Sequence, residues 1–282
     1  MINSKVLVSG AEYFSNKAQI NPYYKTEEVS IDKAIQEHSN IVAAFRKAGV
    51  TVIKVAAPST SQDGVYAANW GVVHNGRAVI ANLPATRSSE SEHAAKILSG
   101  LGLEVIRLPE RLRFSGQGDC LRCGDYLLAG SGYRSDPEAQ EIVAHELGFK
   151  LIQLKTIPEL NAHGRPVINA SSGWPDSFFY DIDLAISVLR NDLIAYCPES
   201  FDNDSRAKIE ALPIEKIIVS LEEARNGFAC NLLSTGETVI MSDRAPKLQA
   251  EIEKHGLKTI LIDAPELKKG GGYIRCISLT LD

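Results

Sequence analysis

HNGRAVIANLPATRSSESEHAAKILSGLGLEVIRL, His74 to Leu108, holds one whole structural unit in the order of its signals. Asn75-Gly76 between apolar runs marks a two-residue hairpin turn, since that pair accepts the positive φ angles such a turn needs. AVIAN, from Ala78, reads as a short buried strand. A helical stretch follows and stops at Gly102, a residue suited to the left-handed end of a helix. GLEVIRL then returns as a second buried strand. The order is hairpin, helix, strand.

That order recurs along the chain. A helical stretch runs into GVTVIKV from Gly49, into GFKLIQL from Gly148 and into GLKTILI from Gly256, with PIEKIIV from Pro213 as a looser copy. Turn pairs precede the other apolar strands: Gly124-Asp125 before YLLAG, Asn191-Asp192 before LIAY, and Gly236-Glu237 before TVIM. A lone strand opens the chain at Val6–Val8, and Tyr273 to Leu279 reads as another. If those two pair, a fifth hairpin closes. The repeat therefore predicts one domain over residues 1–282, an α/β propeller of five ββαβ units. The competing fold is a doubly wound α/β sheet. The hairpins oppose it, because parallel strands need crossovers rather than two-residue turns.

Composition narrows the function. The chain has 282 residues, 44% hydrophobic and 23% charged, with 30 basic against 35 acidic residues for a net charge of −5. Nothing in that balance suits nucleic acid or an anionic membrane, which call for clustered basic residues. No apolar run approaches a membrane span, and MINSKVLVSGAEYF lacks the features of a signal peptide. Five scattered cysteines do not form a secreted disulfide framework. A cytoplasmic location is expected.

In a ring, equivalent positions meet at one end of the axis. Just ahead of each hairpin turn, where the first strand enters, stand Asn69, Asp119, Asp183, Asn231 and Cys276. Burying five such groups without partners would be costly, so their convergence points to a site. Asn and Asp also tie down turns, which is the structural alternative. Cys276 follows Gly270-Gly271-Gly272, and glycines let a backbone approach a ligand closely. Arg275 beside it is expected to lower the thiol pKa. A lone cysteine is otherwise a small buried hydrophobe.

Six motifs, in order, then resemble a family. They are Asn21-Pro22-Tyr23, Asp63 followed by VYAANWG, FSGQGDCL from Phe114, GYRSD from Gly132, FACN ending at Asn231, and GGGYIRCISLTL from Gly270. They resemble the pentein or guanidino-group-modifying superfamily, which includes arginine deiminase, dimethylarginine dimethylaminohydrolase, arginine dihydrolase and the amidinotransferases. The resemblance implies a five-fold propeller with Cys276 as the nucleophile. Cys276 would attack the guanidinium carbon of arginine or an arginine-like molecule, expel an amine or ammonia, and form a thiouronium-type intermediate. Water or an acceptor amine would clear it, with neither metal nor organic cofactor. Asp183 and Asn69 fall on the guanidinium contacts. Asn21, Asp63, Asp119, Asn231 and Gly271 join the candidate binding residues.

Two departures stand at catalytic places. Asp181, in FYDIDLAISVL, occupies the place of the family's histidine and is the candidate catalytic proton carrier in its stead, and Ser115 stands at the place of its glutamate. A carboxyl near its usual pKa is a poor general acid at neutral pH unless burial or a like charge raises it, and Asp183 could supply that charge. His163 and His74 are alternative proton carriers or ordinary surface histidines. Gln117 either bonds a substrate or caps a turn. Arg87 and Arg134 either bind a substrate carboxylate or carry solvated charge. The expected partner is a small guanidino or ureido molecule, with a homodimer left open. The alternative function is a catalytically silent pentein that binds a guanidino ligand or a protein. GSGYRS from Gly130 lacks a third dinucleotide-loop glycine. Cys120-x-x-Cys123 has no second pair at zinc spacing.

Overall fold

A computed structural model describes residues 1–21 and 28–282. In the opening unit, β1 (Lys5–Val8), α1 (Ile31–Lys47) and β2 (Thr51–Lys54) form the strand, helix and strand. Next come β3 (Gly71–His74), β4 (Arg77–Ile80), α2 (Ser89–Gly100) and β5 (Glu104–Arg107). The third unit is β6 (Cys120–Cys123), β7 (Tyr126–Gly130), α3 (Pro137–Leu147) and β8 (Lys150–Leu154). The fourth is β9 (Ile186–Arg190), β10 (Leu193–Tyr196), α4 (Asn203–Ala211) and β11 (Glu215–Ile218). After a short α5 (Leu221–Gly227), the fifth has β12 (Leu233–Ser234), β13 (Thr238–Ser242), α6 (Pro246–Lys254) and β14 (Lys258–Ile262). A single-turn α7 (Pro265–Lys268) precedes β15 (Ser278–Thr280).

These strands form five separate three-stranded sheets. In each, an antiparallel pair is extended by a parallel strand that the helix delivers. β15 pairs antiparallel with β1, Val6 opposite Thr280, so the chain's two ends build the fifth sheet and close the ring. The turn chemistry explains the hairpins. Asn75 and Gly76 both hold positive φ, 48° and 77°, which sets His74 opposite Arg77. Gly148 caps α3 at φ 77°, where its missing Cβ removes the penalty of the left-handed conformation.

The helices lie outside the sheets and bury one stripe each. α1 turns Ala34, Ile41, Val42 and Phe45 inward, and full burial of a Phe or Ile contributes roughly 1.5–3 kcal/mol. A long ribbon between β8 and β9, bridged at Leu160–Pro166 and Ile168–Pro175, accounts for the wide gap between the third and fourth units.

Two expectations need correction. Tyr273 to Leu279 is not one strand: only Ser278–Thr280 pairs, and the preceding residues turn. Nor do the five matching residues lie within strands. Asn69 is in a 3₁₀ turn at Ala67–Trp70, Asp183 in another at Ile182–Leu184, and Asp119 closes a third at Gly116–Gly118. Cys276 lies in a turn and Asn231 closes the turn begun at Phe228, each two residues ahead of its inner strand. A strand would alternate its side chains between faces. A tight turn at the strand mouth instead lets one side chain from each unit reach the axis.

Candidate active site

Cys276 sits where these turns converge, 3% exposed. Its Sγ lies 3.4 Å from Asp183 Oδ2, to which the thiol donates, and accepts from Asn231 Nδ2 at 3.1 Å. Asn231 Oδ1 accepts the backbone N–H groups of Arg275, at 3.0 Å, and Cys276, at 3.3 Å. One asparagine thus holds both the sulfur and the backbone that carries it.

A second chain of hydrogen bonds surrounds this centre. Asp119 accepts from Ser135 Oγ at 2.6 Å and from the Ile182 N–H at 3.1 Å. Ser135 Oγ accepts the Ser115 N–H, and Ser115 Oγ donates to Asp181 Oδ1, both at 3.0 Å. Asp181 Oδ2 accepts from Asn69 Nδ2 at 2.8 Å, and Asn69 Oδ1 accepts from Arg87 Nη1 at 3.0 Å. Arg87 ends the chain on Glu90, bonding both carboxylate oxygens at 2.8 and 2.7 Å. That buried pair also takes the Trp70 indole N–H at 3.0 Å.

The open side is a narrow pocket lined by Ile20, Asn21, Asp63, Tyr66, Asn69 and Arg87, with Arg134, Tyr180, Gly270, Gly272 and Cys276. Arg134 donates to Ile20 O at 2.6 Å, and its guanidinium lies 4.4 Å from the Tyr180 ring centre. Asn21 donates to Gly270 O at 3.1 Å, and Tyr180 to Gly271 O at 2.9 Å. Gly271 has φ +84°, and a Cβ there would lie 2.6 Å from Asn21 Oδ1. At Gly272 a Cβ would run into the Tyr66 ring. The glycines therefore let two pocket walls rest directly on the backbone leading to the thiol.

Electrostatics reverse one expectation. Burial first, then the carboxylates of Asp183 and Asp181, push the Cys276 thiol well above its ordinary value. Arg275 attracts the thiolate but is outweighed, and its guanidinium turns away from the pocket. It donates to Gln117 Oε1 at 2.8 Å and to Ser278 O at 2.5 Å. Burial, and then Asp181, also raise Asp183, with Arg275 opposing. Asp119 is raised by burial and then by Asp181. Three carboxyls in one desolvated centre cannot all ionise cheaply.

The sequence candidates separate accordingly. Asn21, Asp63, Asn69, Arg87, Arg134 and Cys276 line the pocket, and Gly271 borders it through Asn21. Asp183 and Asn231 contact the sulfur from behind. Asp119 and Asp181 lie outside the lining, tied into the hydrogen-bond chain. Gln117 serves structure, bonding Thr280 and Arg275. Pro22 and Tyr23 of the first motif lie outside the described residues. Neither His163, exposed in the ribbon, nor His74, against Phe149, lines the pocket. Tyr66 and Tyr180 went unremarked although each stands inside a quoted motif. Glu90 was missed because a glutamate in a helix's first turn reads as solvated charge. Among the described residues, no three His, Cys, Asp or Glu side chains are grouped to hold a metal ion. No described helix is long and apolar enough to cross a membrane.

Five ββαβ units around one buried cysteine and its carboxylates define a pentein of the guanidino-group-modifying superfamily. Comparison with known proteins narrows this. The family model described as N,N dimethylarginine dimethylhydrolase, eukaryotic, matches residues 10–281, and the chain belongs to that family. It is 28% identical to the N(G),N(G)-dimethylarginine dimethylaminohydrolase of Mycobacterium tuberculosis, over 95% of this chain and 83% of that protein. It is 26% identical to a bifunctional arginine dihydrolase/ornithine cyclodeaminase of Nostoc sp., covering 98% of this chain but 37% of that longer protein. Among solved structures, the product-bound N-terminal domain of ArgZ, a cyanobacterial arginine dihydrolase, superposes with TM-score 0.88 at 25% identity. That match covers 99% of this chain and 97% of that one. The dimethylarginine dimethylaminohydrolase of Pseudomonas aeruginosa shares the fold at TM-score 0.77 and 16% identity, over 98% of both chains. The chain is an enzyme of this hydrolase class.

Proposed function

We propose that this protein hydrolyses a guanidino carbon–nitrogen bond of arginine or an arginine-like small molecule, with Cys276 as nucleophile. The observation that carries the reading is the buried thiol hydrogen-bonded to Asp183 and Asn231 on one side and open to the pocket on the other. A guanidinium entering the pocket brings positive charge to a centre rich in buried carboxyl groups. That charge favours the thiolate, which the empty site disfavours. The proton leaves sulfur for Asp183, the nearest base, and the thiolate attacks the guanidinium carbon. Asn69 is fixed by Arg87 and Asp181 to meet the planar head. Asp181 acts through Asn69 and through its charge on Asp183, the part assigned to it in place of a histidine. Arg134 offers a cation to a substrate carboxylate, whereas Arg87 is neutralised by Glu90. As the carbon–nitrogen bond breaks, the leaving nitrogen takes up a proton relayed from solvent and departs as the amine. Water then attacks the thiouronium carbon, and the carbon–sulfur bond breaks to release the ureido product. The two protons of that water go one to sulfur and one to solvent.

The test is intact-protein mass spectrometry after exposure to 2-chloroacetamidine, a cationic amidine, against neutral iodoacetamide, with Cys276→Ser as control. The amidine should label Cys276 selectively, and arginine should protect it. Iodoacetamide should react slowly at pH 7. Because the resting thiol is raised, its rate should climb about tenfold per pH unit through pH 9. Labelling no faster than at the other four cysteines, indifferent to arginine, would instead mark a silent binding protein on the same scaffold.

A further inference from the structure

The ring has a second opening. Behind the catalytic turns lies a cavity of about 120 Å³, lined among others by Val72, Cys120, Ser187, Val188 and Leu232. It runs along these strands to the exposed Arg122 and Asn191 near the hairpin turns, at the end of the axis away from the small pocket. Asp183 and Arg275 form part of its wall. Asp183 thus stands in the partition: Oδ2 accepts from the Cys276 thiol at 3.4 Å, while Oδ1 is buried without a hydrogen-bond partner among the described residues. Facing this carboxyl are Asp119 and Asp181 from neighbouring turns, Arg275 from behind, and the thiols of Cys276 and Cys230. Ordered water needs room and two to four polar partners. Gln117, Ser187, Asn3 and Asp183 itself supply them along this wall.

We propose that the rear cavity is the proton exit of the active site, with Asp183 handing the Cys276 proton to its water. This rests on the hydrolase reading above. The S–H bond of Cys276 breaks as an O–H bond forms on Asp183, leaving the thiolate. The carboxyl turns about its Cβ–Cγ bond, its O–H bond breaks, and cavity water takes the proton to the outer solvent. Asp183 ends as the carboxylate it began as, and nothing is oxidised or reduced. A substrate seated in the front pocket shuts water out on that side, so the rear face is where the proton can leave.

The proposal predicts that narrowing the rear cavity slows chemistry at a thiol the substitution does not touch. Val188→Trp at the half-buried wall and Arg122→Trp at the exposed rim would be compared with wild type and Val188→Ala. The reading is the maximal rate of Cys276 alkylation by 2-chloroacetamidine and its half-saturating concentration, in H₂O and D₂O. At least one Trp variant should label about tenfold more slowly at unchanged half-saturation with an enlarged solvent isotope effect, and Val188→Ala should match wild type. Should Val188→Trp not fold, Arg122→Trp on the surface carries the test. Folded Trp variants that label within twofold of wild type, with the same isotope effect, overturn the proton exit alone. A wild-type protein that is not selectively labelled overturns the hydrolase reading and the exit with it.

Discussion

The two ends of the ring axis differ in what lines them. At the substrate end, Asn69 and Cys276 face a narrow pocket walled by tyrosines and glycine backbone, with Asp183 and Asn231 holding the sulfur from behind. At the other end, Val72, Ile186 and Val188 of the strands continuing from these turns share the wall of a cavity of about 120 Å³ with Gln117, Ser187 and Arg275. The same units make both ends. Chemistry collects at the strand mouths because a turn can aim one side chain per unit at the axis, whereas the strands below contribute shape. Specificity therefore belongs to the tight end, and the wide end can vary so long as it stays open.

The largest effect that would sharpen this contrast is expected from Asp183→Asn. It keeps the size of the group in the partition but removes the acceptor for the thiol proton and the charge facing the guanidinium. Amidine labelling of Cys276 should fall on the order of 100-fold, since hydrogen bonds to charged groups are worth about 1.5–3 kcal/mol. Iodoacetamide labelling should rise instead, because the Asp183 carboxylate that holds the thiol up is gone. Equal losses with both reagents would mean that Asp183 shapes the site without acting on charge.

Glu90→Gln tests the support behind the tight end. It leaves the buried Arg87 guanidinium without its anion, a change that costs about 3–5 kcal/mol in buried pairs. Thermal denaturation should show a fall on the order of 10 °C. An unchanged melting temperature would make the Arg87–Glu90 pair incidental. Gly271→Ala should cost less, about 1–2 kcal/mol for a side chain at positive φ. Because the new methyl presses on Asn21, weaker arginine protection of Cys276 should accompany it. Stability lost with protection intact would separate Asn21 from binding.

The smallest expected change has the opposite sign. Asp119 is held by Ser135 and the Ile182 N–H; an asparagine keeps the second through Oδ1 and can reverse the first, its Nδ2 donating to Ser135 Oγ. Its folded-state pKa lies above the unfolded value, so its contribution is fully present below the unfolded pKa and is lost as pH rises through the folded one. Asp119→Asn should therefore melt a few degrees above wild type at pH 8, with the gain vanishing toward pH 4. A variant less stable than wild type at pH 8 would show that Asp119 is ionised and needed as an anion.

Much of this was legible in residue patterns of short range. The turn pairs, the glycines ending helices and the pairing of Val6–Val8 with the C-terminal strand led to the five-unit ring, and the comparisons agree on the fold. The convergence of Asn69, Asp119, Asp183, Asn231 and Cys276 followed from ring geometry. What stayed hidden depends on burial and long-range pairing. Arg275 looked like an activating cation because it is adjacent in sequence, yet its guanidinium meets Gln117, 158 positions away. Arg87 looked like a free anion binder until Glu90 was seen to be wholly buried. The strand beginning at Tyr273 looked longer than it is because buried turns can be as apolar as strands.

The pairing of β1 with β15 has a consequence for how the protein comes to be active. Contacts between segments so far apart in the chain are slow to form, since loop-closure entropy must be overcome before they stabilise anything. Cys276 lies two residues ahead of the strand that makes that closure. Asn231 and Asp183 reach it from other units, so the reacting group is assembled only when the circle is complete. Folding intermediates with an open ring would carry an ordinary cysteine, and guanidino chemistry would begin with the last strand docked.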